Sequence, residues 1–355
     1  MRELLVEQFT RSAWTMLGQT RDDGASIGAA ERLFLEDFEV HGHALTMVDS
    51  NVVKSVLLTG GTGFIGQKLT RALLARGDRV IVLSRDPART RGRLPQGAEA
   101  LAYDPEHEGP WLDEVGKASA VVHLAGENVA QRWSDDARRR IISSRVESTR
   151  LVVEGMRRAD KKPDVFVCAS AIGFYGPRPG TERLTETSSR GQGFLADVVE
   201  GWEAAAQPAE SLGVRTIMLR IGIVLGEGGG PLEKMIVPFK MFAGGPIGDG
   251  SHVISWIHAD DVVGLILFCL DKPEARGAIN AVAPHAVTNA ELSKAIGRAM
   301  HRPSWLRVPE TAIKIAMGEA SEFLTTGQRV LPQRATELGY EFRWPNLDPA
   351  LASIL

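Results

Sequence analysis

Glycines at regular spacing follow an apolar run and indicate a site for phosphate groups. Gly60, Gly63 and Gly66 stand three residues apart in TGGTGFIG, residues 59–66, directly after the run SVLLT. A strand that turns sharply into a helix needs glycine where a side chain would block an approaching pyrophosphate. The helix then offers unpaired N–H groups and the positive end of its dipole to that anion. Because these glycines join a predicted strand to a predicted helix, the pattern predicts a dinucleotide-binding turn.

The end of the second predicted strand indicates which dinucleotide is bound. Ser84 and Arg85 follow the apolar run RVIVL. An acid about twenty residues after the glycines would bind the ribose 2′-hydroxyl of NAD, whereas an arginine accommodates the 2′-phosphate of NADP. We therefore predict NADP, with NAD as the alternative if Arg85 is only an exposed strand-end residue. The predicted cofactor contacts are Thr59, Gly60, Gly61, Thr62, Gly63, Phe64, Ile65, Gly66, Ser84, Arg85, Leu124, Ala125, Gly126 and Glu127.

Apolar runs alternate with helical patterns over most of the chain. Strands are predicted at residues 55–59, 79–83, 99–103, 120–125, 165–169 and 214–219, and helices at 64–75, 135–159 and 194–211. This alternation predicts an α/β fold, a Rossmann-type doubly wound parallel sheet with helices on both faces. The fourth strand ends in HLAG, at the sheet edge where ligands bind. Gly126 would let the backbone approach the cofactor, and His123 is expected to be a packed strand residue.

Three segments are expected along the chain. Residues 1–53 form an N-terminal extension of unknown role, in which a short amphipathic helix is predicted near the start. Residues 54–300 form the dinucleotide-binding domain. Residues 301–355 form a small C-terminal mixed α/β substrate subdomain, with strand-like runs SWLRV and GYEFRW.

The composition of the chain gives no indication of nucleic acid, a membrane or a metal ion as a partner. The chain of 355 residues has 41 basic and 44 acidic side chains and a net charge of −3, so no global field favours nucleic acid or anionic lipid. No stretch approaches the ~20 apolar residues of a membrane helix, and the N-terminus lacks a signal-peptide pattern, so the cytoplasm is the expected location. Cys168 and Cys269 are expected in the core, and the eight histidines show no metal-site spacing. The oligomeric state stays open, with a homodimer as one option.

Taken together, these motifs resemble the extended short-chain dehydrogenase/reductase superfamily in its NAD-dependent epimerase/dehydratase branch. TGGTGFIG, HLAG and WIHADD carry that likeness. AGENVAQRW, SAIGFYG, GFLADVVEGWEAAA and GQRVLPQRATELGYEFRWP resemble an atypical group called epimerase family proteins, whose bacterial members are often labelled cell-division-inhibitor-like or NADP-dependent oxidoreductases. The resemblance covers about residues 54–355 and includes a C-terminal segment of unassigned function.

The resemblance also shows where the chemistry departs from the superfamily. Its usual catalytic set is a serine or threonine with a Tyr-x-x-x-Lys pair, but here Phe194 and Val198 occupy the positions of the pair. Losing a positioned acid/base costs about 10²–10⁴ in rate. Ser170 occupies the serine position, and Tyr175 follows the fifth strand in IGFYG. Both are catalytic candidates: Tyr175 would donate a proton as a neutral phenol or else pack on the cofactor, and Ser170 would bind a substrate oxygen or be structural.

Other polar residues near the predicted strand ends are candidates for binding or for structural roles. Arg132 and Trp133 would line a substrate cleft or a surface loop, and Arg220 would attract an anionic substrate or end a strand. Arg145 stands where relatives often carry an asparagine that braces the active-site helix. Asp260 in WIHADD is expected to cap the following helix.

The expected function is that of an NADP-binding oxidoreductase or isomerase-like epimerase on a small carbonyl or nucleotide-linked substrate of unknown identity. The alternative is a non-catalytic NADP(H)-binding protein that senses redox state or binds a partner.

Overall fold

A computed structural model describes residues 54–355, apart from the side chains of residues 312, 316, 317 and 323. The N-terminal extension, with its predicted amphipathic helix, lies outside these residues. The strands are β1 (Ser55–Thr59), β2 (Arg79–Ser84), β3 (Glu99–Ala102), β4 (Ala120–His123), β5 (Val165–Ala171), β6 (Arg183–Leu184), β7 (Arg215–Ile221), β8 (Ile223–Leu225), β9 (Val253–Ile254), β10 (Trp256–His258), β11 (Gly277–Ala281), β12 (Val287–Thr288) and β13 (Arg329–Val330).

Helices connect these strands and cover the sheet. They are α1 (Phe64–Ala75), α2 (Pro87–Arg91), α3 (Leu112–Val115), α4 (Asp135–Arg158), α5 (Phe194–Ala206), α6 (Pro208–Ser211), α7 (Pro231–Lys240), α8 (Ala259–Asp271), α9 (Asn289–Met300), α10 (Glu310–Met317), α11 (Glu322–Thr325), α12 (Gln333–Glu337) and α13 (Leu347–Ala352). Two 3₁₀ turns add Ile172–Tyr175 and Gly318–Ser321.

Seven parallel strands form the central sheet in the order β11-β7-β5-β4-β1-β2-β3. Side chains alternate across it, so that Val56 and Leu58 enter a core with α1 and α8, while Leu57 enters a second core with Met156 and Trp202 on the opposite face. Strands buried on both faces read as continuous apolar runs, which is the pattern of a doubly wound sheet. The predicted Rossmann-type α/β fold is confirmed.

Element boundaries match the predictions on both sides of the glycine turn but not at Pro208. The strand 55–59 and the helix 64–75 are observed with those bounds. The helix predicted at 194–211 is divided, because Pro208 lacks the N–H that a continuous helix needs and instead opens a new turn. Cys168 and Cys269 are buried and unpaired.

The strand-like runs of the C-terminal segment are not strands. Only Val308 of SWLRV makes a bridge, to Ile247. In GYEFRW, the N–H groups of Arg343 and Trp344 donate to the carboxylate of Asp261, at 2.8 and 2.9 Å. The carboxylate of Asp261, at the start of α8, therefore accepts the hydrogen bonds that these N–H groups would otherwise donate to a neighbouring strand.

The C-terminal segment packs into cores that also contain earlier residues. Leu351 joins Leu292, Ile296 and Trp256 in a third cluster, and Ala335 joins the core of the main sheet. The boundary between residues 300 and 301 therefore stays a prediction. Within residues 54–355, no helix is long and apolar enough to cross a membrane.

Candidate cofactor and active site

The turn between β1 and α1 is built so closely that glycine is required. Gly60 has φ +71°, and a Cβ there would lie 2.8 Å from the carbonyl carbon of Leu124. A Cβ on Gly66 would lie 2.2 Å from the carbonyl oxygen of Gly60. Contacts this short cannot form without moving the backbone, so both positions keep the turn bare of side chains. Gly60 also shows that the ends of β1 and β4 meet at this turn.

The N-terminus of α1 is open beside this turn. Gly63 is the N-cap, and it provides no side-chain acceptor for the first N–H groups of the helix. Those donors and the positive end of the helix dipole suit an anion. A glycine cradle and an uncapped helix start together fit the pyrophosphate of a dinucleotide.

Loop residues 226–230 pack beside the same turn. A Cβ on Gly226 or Gly229 would lie 2.7 Å from ring atoms of Phe64, the first residue of α1. The glycines of this loop therefore let its backbone lie against the Phe64 ring. None of these residues is among the predicted cofactor contacts.

Thr59 links the ends of β1 and β4. Its hydroxyl lies 2.7 Å from Nδ1 of His123 and accepts a hydrogen bond from the N–H of Ala125 at 3.2 Å. Nε2 of His123 lies 3.1 Å from the hydroxyl of Ser148 on α4. Burial, together with the charge of Arg145, lowers the pKa of His123 to about 4. His123 is thus a neutral, fully buried residue that ties the strand ends together.

The end of β2 presents a positive charge to solvent. Ser84 is held in place, because its hydroxyl lies 2.7 Å from that of Thr90 and accepts from the N–H of Asp86 at 3.2 Å. Arg85 is exposed, and among residues 54–355 it has no carboxylate partner within ion-pair distance. An arginine without a carboxylate partner is available to a phosphate.

The segment after β4 is braced from α4. The N–H of Glu127 donates to the hydroxyl of Ser144 at 3.0 Å, and a Cβ on Gly126 would lie 3.1 Å from the guanidinium carbon of Arg145. Arg145 also lies 5.1 Å from the ring centroid of Trp202, and burial lowers its pKa to about 10. Arg145 therefore packs behind the Gly126 backbone and contacts Trp202 of α5.

Ser170 belongs to a buried charged cluster that sequence reasoning did not find. Its hydroxyl donates to the carboxylate of Glu203 at 2.6 Å, and Arg220 donates to the same carboxylate through Nε and Nη2, both at 2.8 Å. The side chains of Arg220 and Glu203 are only 5% and 12% exposed. The charge of Arg220 is thus used internally, which argues against the reading that it attracts an anionic substrate.

Tyr175 lies on the other side of Arg220 and is fully buried. Its hydroxyl donates to Oδ1 of Asn280 at 2.7 Å and accepts from Nη1 of Arg220 at 3.0 Å. Burial raises the pKa of Tyr175, so the phenol stays protonated. Ser170 and Tyr175 therefore meet through Arg220 and Glu203, and neither hydroxyl is free. A glutamate among the apolar residues of the second half of α5 and an arginine inside a strand were the signals available for this cluster.

The helix start near WIHADD differs from the prediction. His258 is the N-cap of α8, and its Nδ1 accepts from the N–H of Asp260 at 3.1 Å, so the prediction that Asp260 caps the helix was wrong. Asp260 forms an ion pair with Lys68 of α1 at 3.1 Å instead. Burial lowers the pKa of His258 to about 4, which keeps the ring neutral and able to accept.

An open cleft adjoins the start of α5. Its volume is about 520 Å³, and it lies between Trp133 and Phe194 on one side and residues 314–322 on the other. Phe194 is the residue that replaces the tyrosine of the usual pair, and Val198, one turn along, is buried. No group of three or more His, Cys, Asp or Glu side chains in the part of the chain that the structure describes is arranged to hold a metal ion.

The sheet order, the glycine turn and the open helix start define a nucleotide-binding protein of the short-chain dehydrogenase/reductase type. Comparison with known families gives the finer assignment. The family described as the NAD dependent epimerase/dehydratase family matches residues 56–282, and a domain of unknown function, DUF1731, matches residues 308–354. The chain belongs to the NAD-dependent epimerase/dehydratase family.

Similar proteins occur in plants, bacteria and mammals. The chloroplastic epimerase family protein SDR39U1 homolog of Arabidopsis thaliana is 40% identical over 303 residues, which are 85% of this chain and 86% of that protein. Epimerase family protein YfhF of Bacillus subtilis is 35% identical over 303 residues, 85% of this chain and 98% of that protein. The crystal structure of human epimerase family protein SDR39U1 with NADPH matches with a TM-score of 0.74 and 34% identity, covering 84% of this chain and 98% of that one.

Proposed function

We propose that this protein binds NADPH and acts as an oxidoreductase on a small carbonyl substrate. The observation that carries the proposal is the glycine turn at residues 59–66, where Gly60 and Gly66 leave no room for a Cβ, beside an uncapped helix start. The human relative crystallised with NADPH supports the same cofactor. Bound NADPH would supply a hydride to an electron-poor carbon.

The cofactor-binding residues are proposed from three strand ends. Residues 59–66 would hold the pyrophosphate, Ser84 and Arg85 the adenosine ribose and its 2′-phosphate, and Leu124 to Glu127 would lie along the cofactor beyond β4. Arg85 has no carboxylate partner among residues 54–355 and shortly precedes α2, which contains Arg89 and Arg91. This concentration of positive charge favours NADPH over NADH.

Ser170 and Tyr175 are proposed as positioning residues. Both hydroxyls are committed to a buried network with Glu203, Arg220 and Asn280, which joins β5, α5, β7 and β11. That network would fix the ends of β5 and β7 against the last turn of α5. A direct proton donation by Tyr175 would require its hydroxyl to leave two partners.

A second candidate function is non-catalytic NADPH binding. The observation that favours it is the absence of the tyrosine and lysine pair, since Phe194 and Val198 cannot donate a proton. The loss of NADPH absorbance at 340 nm with a panel of aldehydes and ketones tests the choice. Turnover above a protein-free control supports the oxidoreductase, whereas saturable NADPH binding without turnover on any compound supports the second candidate.

A further inference from the structure

The cleft beside α5 has one aromatic wall and one wall from the C-terminal domain of unknown function. Trp133 and Phe194 form the first, with ring centroids 4.8 Å apart and planes inclined by 58°. Lys314, Glu319, Ser321 and Glu322 line the second. A volume of about 520 Å³ lies within the range of small-molecule sites, roughly 300–1,000 Å³.

The aromatic wall is held in place. Nε1 of Trp133 donates to the carbonyl oxygen of Val129 at 3.0 Å, which fixes the indole. The guanidinium carbon of Arg138 lies 4.5 Å from the Phe194 ring centroid and 5.7 Å from that of Trp133. Arg138 in turn pairs with Glu319 across the cleft. Rings held in this way give an aromatic wall, with the two ring planes inclined to each other, that has little side-chain entropy left to lose on binding.

Charges that line the cleft nearly cancel. Arg138 is neutralised by Glu319, and the remaining charged lining residues are one lysine, Lys314, and one glutamate, Glu322. Arg132 adds a single positive charge at the rim, where its Nε lies 3.8 Å from the position of a Cβ on Gly318. A nucleoside diphosphate carries more negative charge than one rim arginine offsets, so these walls suit an uncharged ligand.

We infer that this cleft binds a flat, uncharged aromatic aldehyde or ketone, with its ring against Trp133 and Phe194. The inference rests on the proposed oxidoreductase function and names its substrate class. The carbonyl carbon would gain a C–H bond from the hydride of NADPH as the C=O π bond breaks, and the oxygen would take up one H⁺ from the buffered solvent. The products are the aromatic alcohol and NADP⁺. The domain of unknown function would thus supply one wall of the substrate site.

A matched pair of probes tests the substrate class. 2-Naphthaldehyde is flat, whereas its saturated counterpart decahydronaphthalene-2-carbaldehyde has the same carbon skeleton and aldehyde without the aromatic rings. Binding of each probe to the full chain with NADP⁺ is measured by ligand-observed NMR, and reduction is measured with NADPH at 340 nm. We expect the flat probe to bind at least about tenfold more tightly, because two ring contacts contribute. Equal affinities of the two probes would overturn the inference. Tighter binding of UDP-glucose than of 2-naphthaldehyde in the same NMR experiment would overturn it as well.

Variants locate the effect in the cleft. Phe194→Leu keeps apolar volume but removes the flat ring, and should lower the preference for 2-naphthaldehyde several-fold. Trp305→Ala, at an exposed tryptophan that does not line the cleft, should leave it unchanged. An unchanged preference in Phe194→Leu contradicts the inference. NADPH titration of the unmodified chain and of each variant separates the two proposals. Equal affinities of the two probes for an unmodified chain that binds NADPH reject the aromatic substrate and leave the proposed cofactor standing, whereas absent NADPH binding rejects both proposals.

Discussion

Replacement of Glu203 by glutamine should destabilise the protein by about 3 kcal/mol, because it leaves the charge of Arg220 buried without a partner. Arg220 is 5% exposed, and both Nε and Nη2 donate to the Glu203 carboxylate. Glutamine keeps the size of the side chain and one acceptor oxygen, but its NH₂ group cannot accept the second hydrogen bond from Arg220. The free energy of unfolding is measured by urea denaturation without cofactor. Glu200→Gln is the matched control on the same helix, because its ion pair with Arg190 is exposed and should contribute less than about 1 kcal/mol.

A compensating variant separates charge burial from lost packing. Glu203→Leu combined with Arg220→Met removes both charges and keeps apolar volume, so it should be more stable than Glu203→Gln alone. Ser170 and Tyr175 each lose a partner in the double variant, which limits the recovery. The reasoning is refuted if Glu203→Gln costs no more than Glu200→Gln, or if the double variant is less stable than the single one.

Three further predictions concern the cofactor, the strand-end histidine and the C-terminal segment. Arg85→Ala should weaken NADPH binding about ten- to hundredfold and leave NADH binding nearly unchanged, since a charge-assisted hydrogen bond to the 2′-phosphate contributes ~1.5–3 kcal/mol. Calorimetric titration measures both affinities, and an equal loss for the two cofactors would contradict the prediction. The pKa of His123 is lowered to about 4 in the folded protein, whereas in the unfolded chain it is about 6.5. Below pH 6.5 the unfolded chain therefore binds a proton that the folded protein does not, and the free energy of unfolding falls as the pH drops towards 4. Urea unfolding should therefore show a loss of about 2 kcal/mol between pH 7 and pH 5 that is absent in His123→Gln, and an identical pH dependence in both proteins would count against it. Asp261→Ala should cost about 2–3 kcal/mol in urea, because the N–H groups of Arg343 and Trp344 lose their acceptor; a loss below 1 kcal/mol would show that water replaces it.

The sequence predicted the parts of the fold that depend on local patterns. The glycines at 60, 63 and 66 and the run at 55–59 fix the first strand, turn and helix, because only one backbone path suits those residue types. By contrast, GYEFRW alternates like a strand but is held by the side chain of Asp261, almost eighty residues earlier. Periodicity does not reveal such a distant partner.

The sequence alone proposes residues for the cofactor end of the candidate site, and those contacts stay a prediction. Strand-end positions follow from topology, which is why residues around Arg85 and Gly126 could be proposed. The cluster of Ser170, Glu203 and Arg220 arises where three elements meet, and no spacing along the chain connects its members. The cleft wall at residues 314–322 likewise depends on tertiary packing.

The most direct test of the account is a calorimetric titration of NADPH and NADH into the full chain and into Gly66→Ala. A Cβ at position 66 would lie 2.2 Å from the Gly60 carbonyl, so this variant should lose cofactor binding, whereas Gly201→Ala, whose Cβ would make an ordinary 3.4 Å contact, should retain it. Urea unfolding checks that both variants are folded. The account predicts saturable binding with NADPH at least about tenfold tighter than NADH. Absence of saturable binding by the unmodified chain, or full binding by a folded Gly66→Ala, would contradict it.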